Sequence, residues 1–140
     1  MALLRGRGGG DMPEAGFAAL RAAHGLAVAK GTGWHPSIIY VSDAPAHNGG
    51  SATLPATRDY TLTQTKDLWQ TKPVNLFYSL PDKVIENTKD KDMPDNPTEQ
   101  METLVTALKT DAPALESRHL PFPVTKDVIL ADIKDAVECR

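Results

Sequence analysis

Apolar residues return along this chain in two different rhythms, and the switches between them predict the architecture. From Pro13, Phe17, Leu20, Ala23, His24 and Leu26 to Val28 recur at helical spacing with alanine filling much of the remainder. A helix is expected there, ending near Lys30, where Gly31-Thr32-Gly33 supplies a C-cap and a turn. Ile38 to Ser42 is instead a nearly continuous run of β-branched and aromatic residues, the pattern of a strand buried on both faces, which favours a parallel sheet. Helical spacing resumes over Tyr60 to Gln70 through Leu62, Thr65, Leu68 and Trp69. Thr57 and Asp59 are the candidate caps, and Lys72-Pro73 is the stop. Val74 to Leu80 reads as a second strand, so helix and strand together form a β–α–β step.

Beyond it, the polar stretch from Asn87 to Pro97 leads into a helix over Thr98 to Thr110, whose stripe is Met101, Leu104, Val105 and Leu108. No further strand is expected after that helix. Leu120-Pro121-Phe122-Pro123 reads as extended and proline-broken, and Val124 to Cys139 as an amphipathic helix on Val128, Ile129, Ile133 and Val137. The expected fold class is α/β, an open and mostly parallel sheet with flanking helices in three layers. Residues 1–110 form the main unit, and residues 111–140 a C-terminal loop and helix of unassigned role.

Composition narrows the functions. With 140 residues, 41% apolar and 24% charged, the chain is one ordinary globular domain. A net charge of −3 gives no global pull toward nucleic acid. The single cysteine, Cys139, excludes an internal disulfide framework, and no apolar run approaches a membrane span or a secretory signal, so compartment stays unassigned. Nucleophilic catalysis has little support. Ser42 lacks a Gly-x-Ser-x-Gly elbow, Ser51 has no base placed by sequence, and the run Gly8-Gly9-Gly10 is followed by Asp11 and Glu14, which repel phosphate, rather than by Gly-Lys-Ser/Thr.

The acids are the candidate chemistry. Asp43 ends the first strand, and ligands of open α/β sheets bind outside the carboxyl ends of strands, at the rim where the loop-to-helix turn carrying Glu14 is also expected. Carboxylates converging there suit a hard cation such as Mg²⁺ or Ca²⁺. The same residues also read as helix chemistry: Asp11 as an N-cap, Pro13 at the first helical position, and Glu14 in a first turn that favours acids. The loop from Asp43 to Thr57 is long enough to be a binding element. In it His47 is either a ligand or base beside Asp43 or a hydrogen-bonding group of the loop, and His47 and Asn48 are the candidate contacts to a partner.

Gly8-Gly9-Gly10-Asp11-Met12-Pro13-Glu14-Ala15, then Gly33-Trp34, then a strand closing on Asp43-Ala44-Pro45-Ala46-His47, resembles the von Willebrand factor type A domain in its integrin-β-like and microbial branch. The match spans about residues 8–80. The resemblance implies a Rossmann-like fold and a divalent cation at the sheet rim. A protein partner's carboxylate would complete the coordination shell, as in adhesion or complex assembly. Residue by residue, it makes Glu14 the loop glutamate, Asp43 the strand-end aspartate, and Asp11 a ligand of a neighbouring cation. The family's Asp-x-Ser-x-Ser motif occurs nowhere in the chain, and Gly9 stands where the integrin-β version has asparagine. The expectation is therefore the C-terminal half of such a domain, lacking the first strands. The alternatives are an accessory module of a larger enzyme or transport system, and a relic without metal.

Overall fold

The computed structural model describes residues 15–29, 36–49, 59–83 and 96–137, with side chains to residue 131. In chain order the elements are α1 (Gly16–Val28), β1 (Ser37–Val41), α2 (Leu62–Thr71), β2 (Asn75–Ser79), α3 (Pro97–Asp111), β3 (Ser117–His119) and α4 (Lys126–Val137). The strands form one parallel sheet in the order β1-β2-β3, with Ser37 to Val41 beside Asn75 to Ser79 and Leu76 to Tyr78 beside Ser117 to His119. The α/β arrangement is thus an open three-stranded parallel sheet flanked by helices.

Alternation along the strands sends Ile38 and Tyr40, and Leu76, Tyr78 and Leu80, to one face, where they pack with Phe17 and Leu20 of α1, Trp69 of α2, and Met101, Leu104, Val105 and Leu108 of α3. Helix α1 lies on β1 and α2, α2 on α3, and α3 on β2, so these three helices share that face; α4 has no comparable packing partner among the described residues. The third layer is not supplied by α1 to α3. Successive right-handed crossovers that step in one direction across a sheet all return over the same side.

Local chemistry fixes the helix ends. The cap of α2 is Thr61, not Asp59, and Thr57 lies outside the described residues. The Thr61 hydroxyl accepts from the Gln64 amide at 3.1 Å while the Gln64 side chain accepts from the Thr61 amide at 2.9 Å, a reciprocal capping box. Asn96 caps α3 with Pro97 at the first position, accepting from the Glu99 amide at 3.1 Å. Where α2 turns into β2, the buried Trp69 donates its indole N–H to the Val74 carbonyl at 2.9 Å.

His24 is 1% exposed and packs on Trp69 with ring centroids 4.5 Å apart and the ring planes tilted by 45°. Its Nε2 lies 2.8 Å from the Lys72 carbonyl; a carbonyl only accepts, so Nε2 is the donor of this bond. Arg21 reaches the other end of α2, donating to the Gln64 carbonyl at 2.6 Å and lying over the Tyr60 ring. Asp111 joins α3 to α2 through Gln70 at 2.7 Å and Lys66 at 3.0 Å, and these two donors hold its carboxyl below the usual range.

Two expectations are corrected. Among the described residues β1 is an edge strand, and it is not buried on both faces: Ser37 and Val41 are exposed, Val41 to 49%. A strand does follow α3. Ser117-Arg118-His119 pairs with β2 through its backbone, continued by the Leu120 amide donating to the Tyr78 carbonyl at 2.7 Å.

Candidate functional site: the carboxyl rim of the sheet

Because the strands are parallel, Val41, Ser79 and His119 end at one rim, and the helices return there with their amino ends. The loop after β1 is the rim's most organised part. Ser42 Oγ donates to the Ala44 carbonyl at 2.9 Å and accepts from the Ala44 amide at 3.2 Å, closing a local turn. Ala44, Pro45, Ala46 and His47 are all buried. Gln100 of α3 clamps this segment with both ends of its amide: Oε1 accepts from the Ala46 N–H at 2.8 Å, and Nε2 donates to the Ala46 carbonyl at 2.8 Å. Gly49 then turns at φ +85°, a conformation that favours glycine.

Helix α1 begins against the same loop. A Cβ on Gly16 would run into the Tyr40 hydroxyl and come within 2.9 Å of the Ala46 Cβ, so this glycine permits direct contact between helix and loop. On the β2 side, the Thr98 hydroxyl is within reach of the Leu80 carbonyl at 3.0 Å and the Pro81 carbonyl at 3.2 Å, and Ser79 Oγ donates to the Pro121 carbonyl at 2.8 Å. Tyr78 stacks on His119 at 5.1 Å. Burial, reinforced by the negative charge of Glu102, pushes its phenol up to about 12.

Asp43 is exposed beside buried Ala44, at the carboxyl end of β1. His47 is only 9% exposed, and its buried Nε2 has no hydrogen-bond partner among the described residues. Asn48 is exposed, but its Oδ1 accepts from the Leu62 amide at 2.7 Å, so its oxygen serves the amino end of α2. Asp11 and Glu14, together with Trp34, lie outside the described residues. Among the described residues no three His, Cys, Asp or Glu side chains stand close enough to share a metal ion, and of the three acids expected at the rim Asp43 alone lies among them.

Gln100 is the rim residue that sequence reasoning missed. As a polar residue in the second turn of a helix, it carries no local signal of what it reaches. No helix among the described residues is long and apolar enough to cross a membrane. Comparison with models of protein families, with curated proteins and with solved structures finds no match for this chain, and the rim's own geometry is what a functional reading rests on.

Proposed function

We propose that this chain is a protein-binding module of the von Willebrand factor A kind, engaging its partner at the carboxyl rim through Asp43, with Asp11 and Glu14 completing a carboxylate group that takes a divalent cation. No reaction is assigned to it. The observation that carries this reading is the presentation of Asp43: an exposed carboxylate on a loop whose following residues are buried and clamped by Gln100. A fixed loop holds an acid for a cation or a partner at little entropic cost.

Two further features support it. Contact of Gly16 with Ala46 brings the start of α1 to the loop that carries Asp43. The sequential order β1-β2-β3, with α1 to α3 on one side, is that of one half of a doubly wound sheet. Calorimetric titration of the full chain with Mg²⁺, Ca²⁺ and Mn²⁺ tests the cation. Weak binding is expected because few protein oxygens are available, and it should be abolished in Asp43→Ala and in Glu14→Ala. Mn²⁺ should also broaden the amide resonances of residues 43–48. Absence of both heat and broadening rejects the cation-dependent reading.

A further inference from the structure

Asn48-Gly49 is the one asparagine-glycine step in the chain, and the fold sets it apart from the other described asparagines. An asparagine side chain is open to attack by the amide nitrogen of the following residue when that nitrogen is uncrowded and not otherwise bonded. Asn75 is followed by Leu76, whose bulk crowds the approach and whose N–H is held by the Glu116 carbonyl at 3.0 Å. Asn96 is followed by Pro97, which has no N–H. Gly49 carries neither obstacle. It has no side chain, it and Asn48 are both exposed, and its amide has no hydrogen-bond partner among the described residues.

The carbon to be attacked is prepared as well. Asn48 Oδ1 accepts from the amide of Leu62, the first residue of α2, at 2.7 Å, and that N–H has no partner inside its own helix. A backbone N–H so placed stabilises the negative charge that grows on the oxygen as a nucleophile adds to Cγ, and the positive end of the helix dipole adds to the effect. The segment is held on both sides: Gln100 clamps Ala46 before it, and Gly49 turns close against Thr61 after it.

We propose that Asn48 is a self-modifying site, at which the Gly49 nitrogen attacks Asn48 Cγ with the Leu62 N–H as oxyanion donor, and the amide becomes a carboxylate. Gly49 N gives its proton to solvent hydroxide and bonds to Cγ. The Cγ–Nδ2 bond then breaks, and Nδ2 takes a proton from water and leaves as ammonia. One water opens the resulting succinimide, at Cγ to give aspartate or at the Asn48 main-chain carbonyl to give isoaspartate. Water enters, ammonia leaves, and nothing is oxidised or reduced.

The step needs neither a cation nor a partner. Either product adds one negative charge to the loop that carries Asp43, taking the formal net charge from −3 to −4. Aspartate leaves an oxygen for the Leu62 N–H, and its charge suits the amino end of α2. Isoaspartate instead routes the main chain through the side chain and lengthens the turn by a methylene.

Mass spectrometry of the full chain, aged folded at neutral and at mildly alkaline pH and then cut with trypsin, tests the proposal. Fragment 31–58 holds Asn48 as its only asparagine or glutamine, so a gain of about 1 Da there, preceded by a species lighter by about 17 Da, reports this residue. The gain should be faster at the higher pH and at least about tenfold faster than any gain in fragment 67–83, which holds Asn75. Leu62→Pro removes the oxyanion donor at a position where proline suits a helix, after a Thr61 already extended at φ −86° and ψ 161°. With circular dichroism unchanged, it should slow the gain by about threefold or more in this exposed loop. An unmodified fragment 31–58 in the folded chain, while the same peptide free in solution reacts, overturns the proposal. So does an equal gain in fragment 67–83, or an undiminished rate in folded Leu62→Pro.

Discussion

Replacing Gln100 by methionine keeps the length and most of the volume of the side chain but removes the amide that clamps Ala46. Two hydrogen bonds of 2.8 Å are lost, each worth about 1 kcal/mol net, and the Ala46 N–H and C=O, on a residue 2% exposed, are left without partners at about 1–3 kcal/mol per group if no water replaces the amide. The rim borders solvent, so water recovers part of this, and a loss of about 2–3 kcal/mol is expected. Urea unfolding should report it as a lower midpoint with an unchanged slope, and thermal unfolding as a fall of about 6–12 °C. Hydrogen exchange gives the local reading: the Ala46 amide should exchange about 30-fold faster or more, while amides in β2 follow only the global change. Stability within about 0.5 kcal/mol of wild type, with Ala46 still protected, would mean that the loop is held by its own turn and not by α3. That result would also remove the argument that Asp43 is presented on a rigid support.

Gly16→Ala raises intrinsic helix propensity by up to about 1 kcal/mol, yet its methyl group must displace the Tyr40 hydroxyl and Ala46, at about 1–3 kcal/mol, so a net loss in urea unfolding is expected where propensity alone predicts a gain. Tyr78→Phe isolates an alkaline effect. Folding raises the phenol from 10.0 to about 12, so between those values the native state keeps a proton that the unfolded state has lost. The stabilising contribution is full below pH 10 and declines as pH rises toward 12. Wild type should therefore lose stability more steeply than Tyr78→Phe in denaturant titrations across that window, and parallel slopes would contradict the assignment.

How much of this was legible in the sequence depended on whether a feature is local. Helical period located α1, α2 and α3 because the stripes Phe17-Leu20, Leu62-Thr65-Trp69 and Met101-Leu104-Leu108 are properties of single segments. Thr61-Gln64 was equally local: the spacing of a capping box stood in the chain, but Asp59 drew attention two residues too early. β3 was not legible, since Ser117-Arg118-His119 is polar and short and becomes a strand only because the edge of β2 offers it hydrogen bonds. The apolar run of β1 misled for the converse reason. Continuous hydrophobicity records that a surface prefers to be covered; it does not record that β1 would end at the sheet's edge. At the rim, sequence expected Asp43 to end a strand and it lies two residues beyond β1, whereas the grip of Gln100 on Ala46 joins residues 54 apart, and no spacing rule connects them.

Sequential strand order also bears on how the molecule is made. Each strand pairs with the strand before or after it in the chain, so no early segment has to wait for a distant one, and closure entropy is met in instalments rather than in one long loop. During synthesis β1, α2 and β2 can close as a unit, with Trp69 already holding Val74, before β3 has left the ribosome. The latest strand is also the shortest and most polar, so the nascent sheet's growing margin at β2 is completed by a segment with little tendency to aggregate.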